Sequence, residues 1–194
     1  MLIRPPTSHP PLRLFPTTIN RTTPLTTYSL MNDDDIQPTP ATRRLVRERV
    51  MQTLYAHELG REHGGEPVEF LAMQIVQPEL KGDSVLMEFA QDLLRRVVNN
   101  LTELDAIIRS LAENWDFSRI APIDKVLLRM AITEILYFPE IPARVTINEV
   151  IEIAKRYSTD KSGIFLNGVL DGVIAKLKKE GRFKKSGRGL LDHE

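Results

Sequence analysis

The chain has 194 residues, 42% of them hydrophobic, and its 26 basic side chains are matched by 26 acidic ones. That length suffices for one well-buried core, and the balanced charge excludes a whole-molecule field for polyanions, so any nucleic-acid binding must come from local clusters. The lack of cysteine excludes disulfides and thiolate metal sites and fits a cytoplasmic protein, while no apolar run approaches the roughly 20 residues of a membrane-spanning helix.

Residues 1–30 hold six prolines, seven threonines and three arginines, with no acid and no helical or strand period. Such a segment buries no face and reads as disordered. A basic, hydroxyl-rich, acid-free leader also fits an organellar transit peptide, although its prolines suit an amphipathic helix poorly. The favoured expectation is that Met31 is the true start. Residues 32–40, NDDDIQPTP, are polar and punctuated by proline, which predicts a linker.

From Ala41 the pattern is helical. Leu45, Val46, Val50, Leu54 and Leu59 predict a first helix that ends before Gly64 and Gly65, and a short helix follows over Val68 to Ile75. Leu86, Phe89, Leu93, Val97, Leu101, Leu104, Ile108 and Leu111 recur every three or four residues, predicting one long helix from Val85 to Leu111 with Asp83 or Ser84 as its cap. Pro122 suits a first helical turn, where its missing N–H costs nothing, and that helix should run to about Phe138, stopped by Pro139 and Pro142. Ile147, Val150, Ile151 and Ala154 give the next stripe; Leu166, Val169, Leu170, Val173 and Leu177 give the last. The fold class is all-α, with an extension and linker over 1–40, a helical domain over 41–178 and a flexible basic tail over 179–194.

The helix from Ile123 to Tyr137 is apolar on nearly every side, which predicts a central position. Arg129 and Glu134 within it then need partners, Asn148 or Glu149 among the candidates, because a buried charge left alone is costly. Asn167 and Gly168 are poor helix formers and predict a side-chain hydrogen bond and a close helix approach, with Ser162 as an N-cap.

Two basic clusters are candidate binding sites. Arg43, Arg44, Arg47 and Arg49 open the first helix, and Arg44, Arg47, Met51 and Tyr55 follow at helical spacing, so cationic forks and one aromatic ring share a flank. Guanidinium groups pair with phosphates or stack on bases, and a tyrosine face offers a stacking platform, which suits single-stranded RNA. The competing reading is a solvated basic face balanced by Glu48 and Glu58. The second cluster is the tail, KLKKEGRFKKSGRG, whose lysines and arginines face the lone acid Glu180; it raises affinity for polyanions or simply solubilises the end. Catalytic chemistry finds no support: HELGREH (His57 to His63) lacks the histidine spacing of a helical zinc site, and no phosphate loop, serine elbow or dinucleotide fingerprint is present. No catalytic residue, metal or cofactor is expected.

Three segments together, RRLVRERVMQTLYAHEL, IDKVLLRMAITEIL and VTINEVIEIAKRYSTDKSGIFLNGVLD, resemble the NusB family of bacterial transcription antitermination factors over residues 41–178. The resemblance implies two packed three-helix lobes and a scaffolding role on ribosomal RNA operons. The partners it implies are boxA RNA, the ribosomal protein that doubles as NusE, and the RNA polymerase elongation complex. It assigns RNA contact to Arg43, Arg44, Arg47, Tyr55 and Phe165. Two departures shift the footprint: Leu45 stands where relatives often carry another arginine, with Arg49 supplying a cation elsewhere, and Lys161 replaces an acid common just before the serine. Arg49 and Lys161 are therefore additional candidates. The alternative is a helical interaction module without RNA affinity, a homodimer for instance, using the Val85 to Leu111 stripe as its interface. A third, an RNA methyltransferase subunit, would need a separate catalytic domain.

Overall fold

The computed structural model describes residues 42–111 and 116–193; the expectations for residues 1–40 lie outside that range. Helix α1 spans Arg43–Gly60 and is opened by Thr42, whose hydroxyl accepts the Leu45 N–H at 3.3 Å, satisfying one of the amides a helix start leaves unpaired. A short 3-10 turn, Arg61–His63, leads to Gly64 at φ 70°, a left-handed conformation that glycine adopts without steric cost. Helix α2 then covers Val68–Ile75.

The long helix expected from Val85 to Leu111 is two helices, α3 over Ser84–Asn99 and α4 over Leu101–Leu111. Asp83 caps α3, accepting the Leu86 N–H at 2.9 Å. The break falls at Asn100, whose side-chain amide donates to the Arg96 carbonyl at 2.7 Å while its backbone N–H reaches back to Val97. Asparagine offers the backbone this local alternative to a helical bond, and the apolar period survives the break, which is why it was invisible to spacing alone. Leu86, Phe89, Leu93, Val97, Leu104 and Ile108 are all buried in the core, so the stripe is not free to serve as a self-association face.

Helix α5, Pro122–Tyr137, starts on its proline as expected. Helices α6 (Ala143–Tyr157) and α7 (Ser162–Lys179) complete an all-α architecture with no strand among the described residues. Helix α5 packs against α1, α3, α4, α6 and α7. Every residue from Val126 to Ile135 is buried on it, the physical reason for its apolar sequence. Helices α1, α2 and α3 gather on one side; α6 and α7 pair on the other, with α4 against α5 and α7.

The interior charges are paired, though not with the expected partners. Glu134 receives two hydrogen bonds from Arg47, at 2.7 and 2.8 Å, and one from the Thr146 hydroxyl at 3.1 Å. Arg129 is held by Asp105 at 2.7 and 3.0 Å and by Glu58 at 3.2 Å. Asn148 is exposed; Glu149 joins the network through Arg47, at 3.7 Å.

Helix α7 corrects two further expectations. The cap position belongs to Lys161, and the Ser162 hydroxyl instead donates to the buried Asp124 at 2.9 Å, alongside Ser158 at 2.7 Å. Gly168 faces open space, because it falls on the solvent side between the buried Leu166 and Leu170. Gly172 lies against Leu111 of α4, where a Cβ would be in ordinary van der Waals contact at 3.4 Å, so no close helix approach depends on it either. Asn167 does form a side-chain hydrogen bond, to Asp171 at 2.9 Å on the surface.

The segment read as a flexible tail is laid back over the body. Gly181, at φ 67°, turns the chain, and the N–H groups of Arg182 and Phe183 both donate to the Leu177 carbonyl. Lys185 Nζ donates to the Phe138 carbonyl at 3.2 Å and the Ser186 N–H to the Pro139 carbonyl at 2.9 Å, so the tail is hydrogen-bonded to the turn that follows α5. A final 3-10 turn, Gly187–His193, lies against α6.

Candidate nucleic-acid interface

Three of the four arginines at the mouth of α1 converge on one groove, and the helix assigns them different work. Arg43 is exposed and sets its guanidinium over the Phe89 ring at 5.0 Å from the centroid, a cation–π contact that does not consume its hydrogen-bonding capacity. Arg44 is exposed and makes a bidentate pair with Glu149 of α6, at 3.0 and 2.8 Å. The hydrogen bond and the charge of Glu149 hold that guanidinium above its ordinary pKa.

Arg47 differs. Its side chain is 3% exposed, because α1 turns Val46, Arg47, Val50, Met51 and Leu54 toward the core. Burial opposes its charge, but the hydrogen bonds and charge of Glu134 outweigh that and raise its pKa above the ordinary value. Its guanidinium is committed to Glu134, Glu149 and the Phe89 ring, so the expected direct contact is corrected to a supporting position beneath Arg43 and Arg44. The flank read from Arg44 through Met51 to Tyr55 therefore faces inward for most of its length: Met51 is buried and Tyr55 half-buried against the core.

The groove has a volume of about 800 Å³ and runs between the start of α1 and the turn joining α5 to α6. Its walls include Arg43, Arg44, Val145, Glu149 and Arg188. Sequence reasoning missed Val145, a 42% exposed apolar residue at the opening of α6, and included Arg188 only as one cation of the basic tail, not as a wall of this groove. From the groove onward, α1 is laced to α6 by residues one turn apart on α1, Arg44 to Glu149, Glu48 to Arg156 at 2.6 Å and Gln52 to the Tyr157 hydroxyl at 3.3 Å. Glu48 thus partners α6 and Glu58 partners Arg129 and Arg61, rather than balancing the cluster locally.

The remaining candidates lie elsewhere. Arg49 points toward the α2–α3 connection, donating to Gln52 at 3.0 Å and Glu79 at 2.8 Å. Lys161 is exposed and Phe165 half-buried at the start of α7, beyond the far end of α6, about 20 Å from the groove by helix rise alone. The outer surface of α6, with Lys155 and Arg156 exposed near its end, joins the two regions. Chemically the arrangement can bind anions and bases by charge-assisted hydrogen bonds and stacking. Among the described residues no helix is long and apolar enough to cross a membrane.

The sequence model of the NusB family matches residues 44–175. The transcription antitermination protein NusB of Salinibacter ruber is 46% identical over 151 residues, which is 78% of this chain and 92% of that protein. Among solved structures, T. maritima NusB is similar with a TM-score of 0.64 and 36% identity, covering 73% of this chain and 99% of its own. A structure of the antitermination factors NusB and NusE in complex with double-stranded RNA matches at 22% identity with a TM-score of 0.59, over 69% and 96% of the two chains, and shares the fold.

Proposed function

This chain belongs to the NusB family, and from that premise we propose that it is an RNA-binding antitermination factor that holds a boxA-type single strand of nascent ribosomal RNA together with NusE. In this reading it helps the RNA polymerase elongation complex resist termination by scaffolding alone. The observation that carries it is the exposed pair Arg43 and Arg44 on one groove, braced from below by the buried Arg47–Glu134 pair. A protein of this fold found in one assembly with NusE and double-stranded RNA supports NusE and RNA as the partner classes. The choice of a single strand rests on the family resemblance, and a duplex competitor tests it. Lys161 and Phe165 extend the RNA path along α6, and Tyr55 and Arg49 stand as secondary contacts.

Affinity without the partner should be modest, because the net charge is zero and Glu149 already occupies Arg44. Titration of a boxA single strand, with a duplex of the same sequence as competitor and with or without NusE, tests the reading. Binding of the single strand that tightens with NusE is expected; indifference to RNA at low salt in the presence of NusE contradicts it.

A further inference from the structure

Arg188 reaches the groove from the last turn of the chain, and its position there is fixed rather than diffuse. Ser186 and Lys185 anchor the tail on the carbonyls of Pro139 and Phe138. Gly187 takes a left-handed φ of 53°, open to glycine without strain, and Gly189 passes so close to the turn between α5 and α6 that a Cβ on it would lie 2.0 Å from the Pro139 carbonyl oxygen. Only a residue without a side chain fits that contact. These glycines therefore turn a basic tail into a docked strap that brings Arg188 to the wall shared with Arg43 and Arg44.

The charge arithmetic at this wall gives Arg188 its weight. Arg44, though exposed, shares its charge with Glu149, Arg47 is paired with the buried Glu134, and Glu140 adds a further acid to the rim. Among the described residues neither Arg43 nor Arg188 forms an ion pair, so these two join Arg44 as cations of the wall and, unlike it, have no carboxylate partner of their own there. They stand on opposite chain ends and meet only because the tail is strapped down.

We infer that Arg188 is a second phosphate-binding arginine of the groove, held in place by the Gly189–Pro139 contact, so that the docked tail and the mouth of α1 grip one RNA backbone between them. The inference rests on the RNA-binding reading above and adds a residue and a positioning device to it. An unpaired guanidinium presented in a fixed place pairs with phosphate at little ordering cost. A loose tail would attract polyanions through its total charge alone.

The test uses the full chain and a boxA single strand, with affinity measured across salt concentrations for wild type, R188A, G189L and K184A. Lys184 is an exposed cation of the same tail that does not line the groove. The expected result is that R188A flattens the salt slope by about 0.7 and weakens binding about fivefold at 0.1 M salt. G189L should do the same with every charge retained, and K184A should change little; unchanged helical circular dichroism and urea midpoints show that the body is intact. Equal losses for R188A and K184A with none for G189L overturn the inference in favour of diffuse attraction. Tighter binding on R188A or G189L overturns it in favour of a tail that covers the groove. Absence of RNA binding by the wild type, by contrast, defeats the underlying functional reading itself.

Discussion

Arg43 and Arg47 stand one turn apart on α1, and both place a guanidinium over the Phe89 ring, at 5.0 and 5.4 Å. Arg43 faces water, whereas the Arg47 side chain is 3% exposed and locked to Glu134. One arginine is thus available to a ligand and the other to the fold, a division that the run RRLVRERV does not display. The lesson is that a basic cluster at a helix start is two devices in series, an outer pair open to solvent and an inner one locked into the fold.

The largest expected effect breaks the inner device. R47M leaves Glu134 buried with only Thr146 to satisfy it, and should lower stability by about 3–5 kcal/mol, read as a reduced urea midpoint with unchanged slope. The double variant R47M/E134L should recover most of that loss, since well-packed apolar replacements of a buried pair are often neutral; no recovery would mean that the pair is not what fails. Next comes the outer device: R43A should weaken binding of a boxA single strand about fivefold at 0.1 M salt, while costing no more than about 1 kcal/mol of stability, the worth of an exposed cation–π contact.

A smaller effect sharpens the boundary between the two. E149Q releases the solvent-exposed Arg44 from its ion pair, which solvent screening makes weak, and should tighten RNA binding about twofold; weaker binding would show that Glu149 positions Arg44 productively. The smallest effect lies outside the groove. Partial burial pushes the Asp92 carboxyl up, but hydrogen bonds from Arg96 and Arg95 outweigh it and hold the group below its ordinary range. A lowered carboxylate pKa stabilises the fold above its unfolded value of about 3.9 and stops doing so as pH falls through the folded value. The difference in urea midpoint between wild type and D92N should therefore be fully present near neutrality, begin to shrink as pH falls past about 4, and be gone only once pH is below the lowered folded value.

Much of this architecture was legible in the sequence because apolar spacing reports burial directly. The short helix over Val68 to Ile75, the proline start of α5 and its central place all follow from that rule, and the NusB resemblance of Ala41 to Lys178 agrees with the family match. Three things were not legible, each for a physical reason. Asn100 breaks a helix without disturbing its stripe, so periodicity passed over it. Arg47 is a charge at an inward position, and spacing places it equally well on a basic flank until Glu134 is brought alongside by tertiary packing. Arg188 and the Gly189–Pro139 contact depend on a chain reversal at Gly181, and a glycine-spaced basic end looks the same whether strapped down or loose. Gly168 is the converse case: a glycine inside a helix suggests a close approach, yet this one faces open space.

The central claim is that RNA is held by the outer arginines of α1. Its most direct test is the salt dependence of single-strand binding by R43A/R44A against wild type, with stability checked in parallel. Two lost phosphate contacts should flatten the slope by about 1.4 while leaving the urea midpoint nearly unchanged. An unaltered slope in a folded double variant contradicts the claim and moves the binding surface away from the mouth of α1.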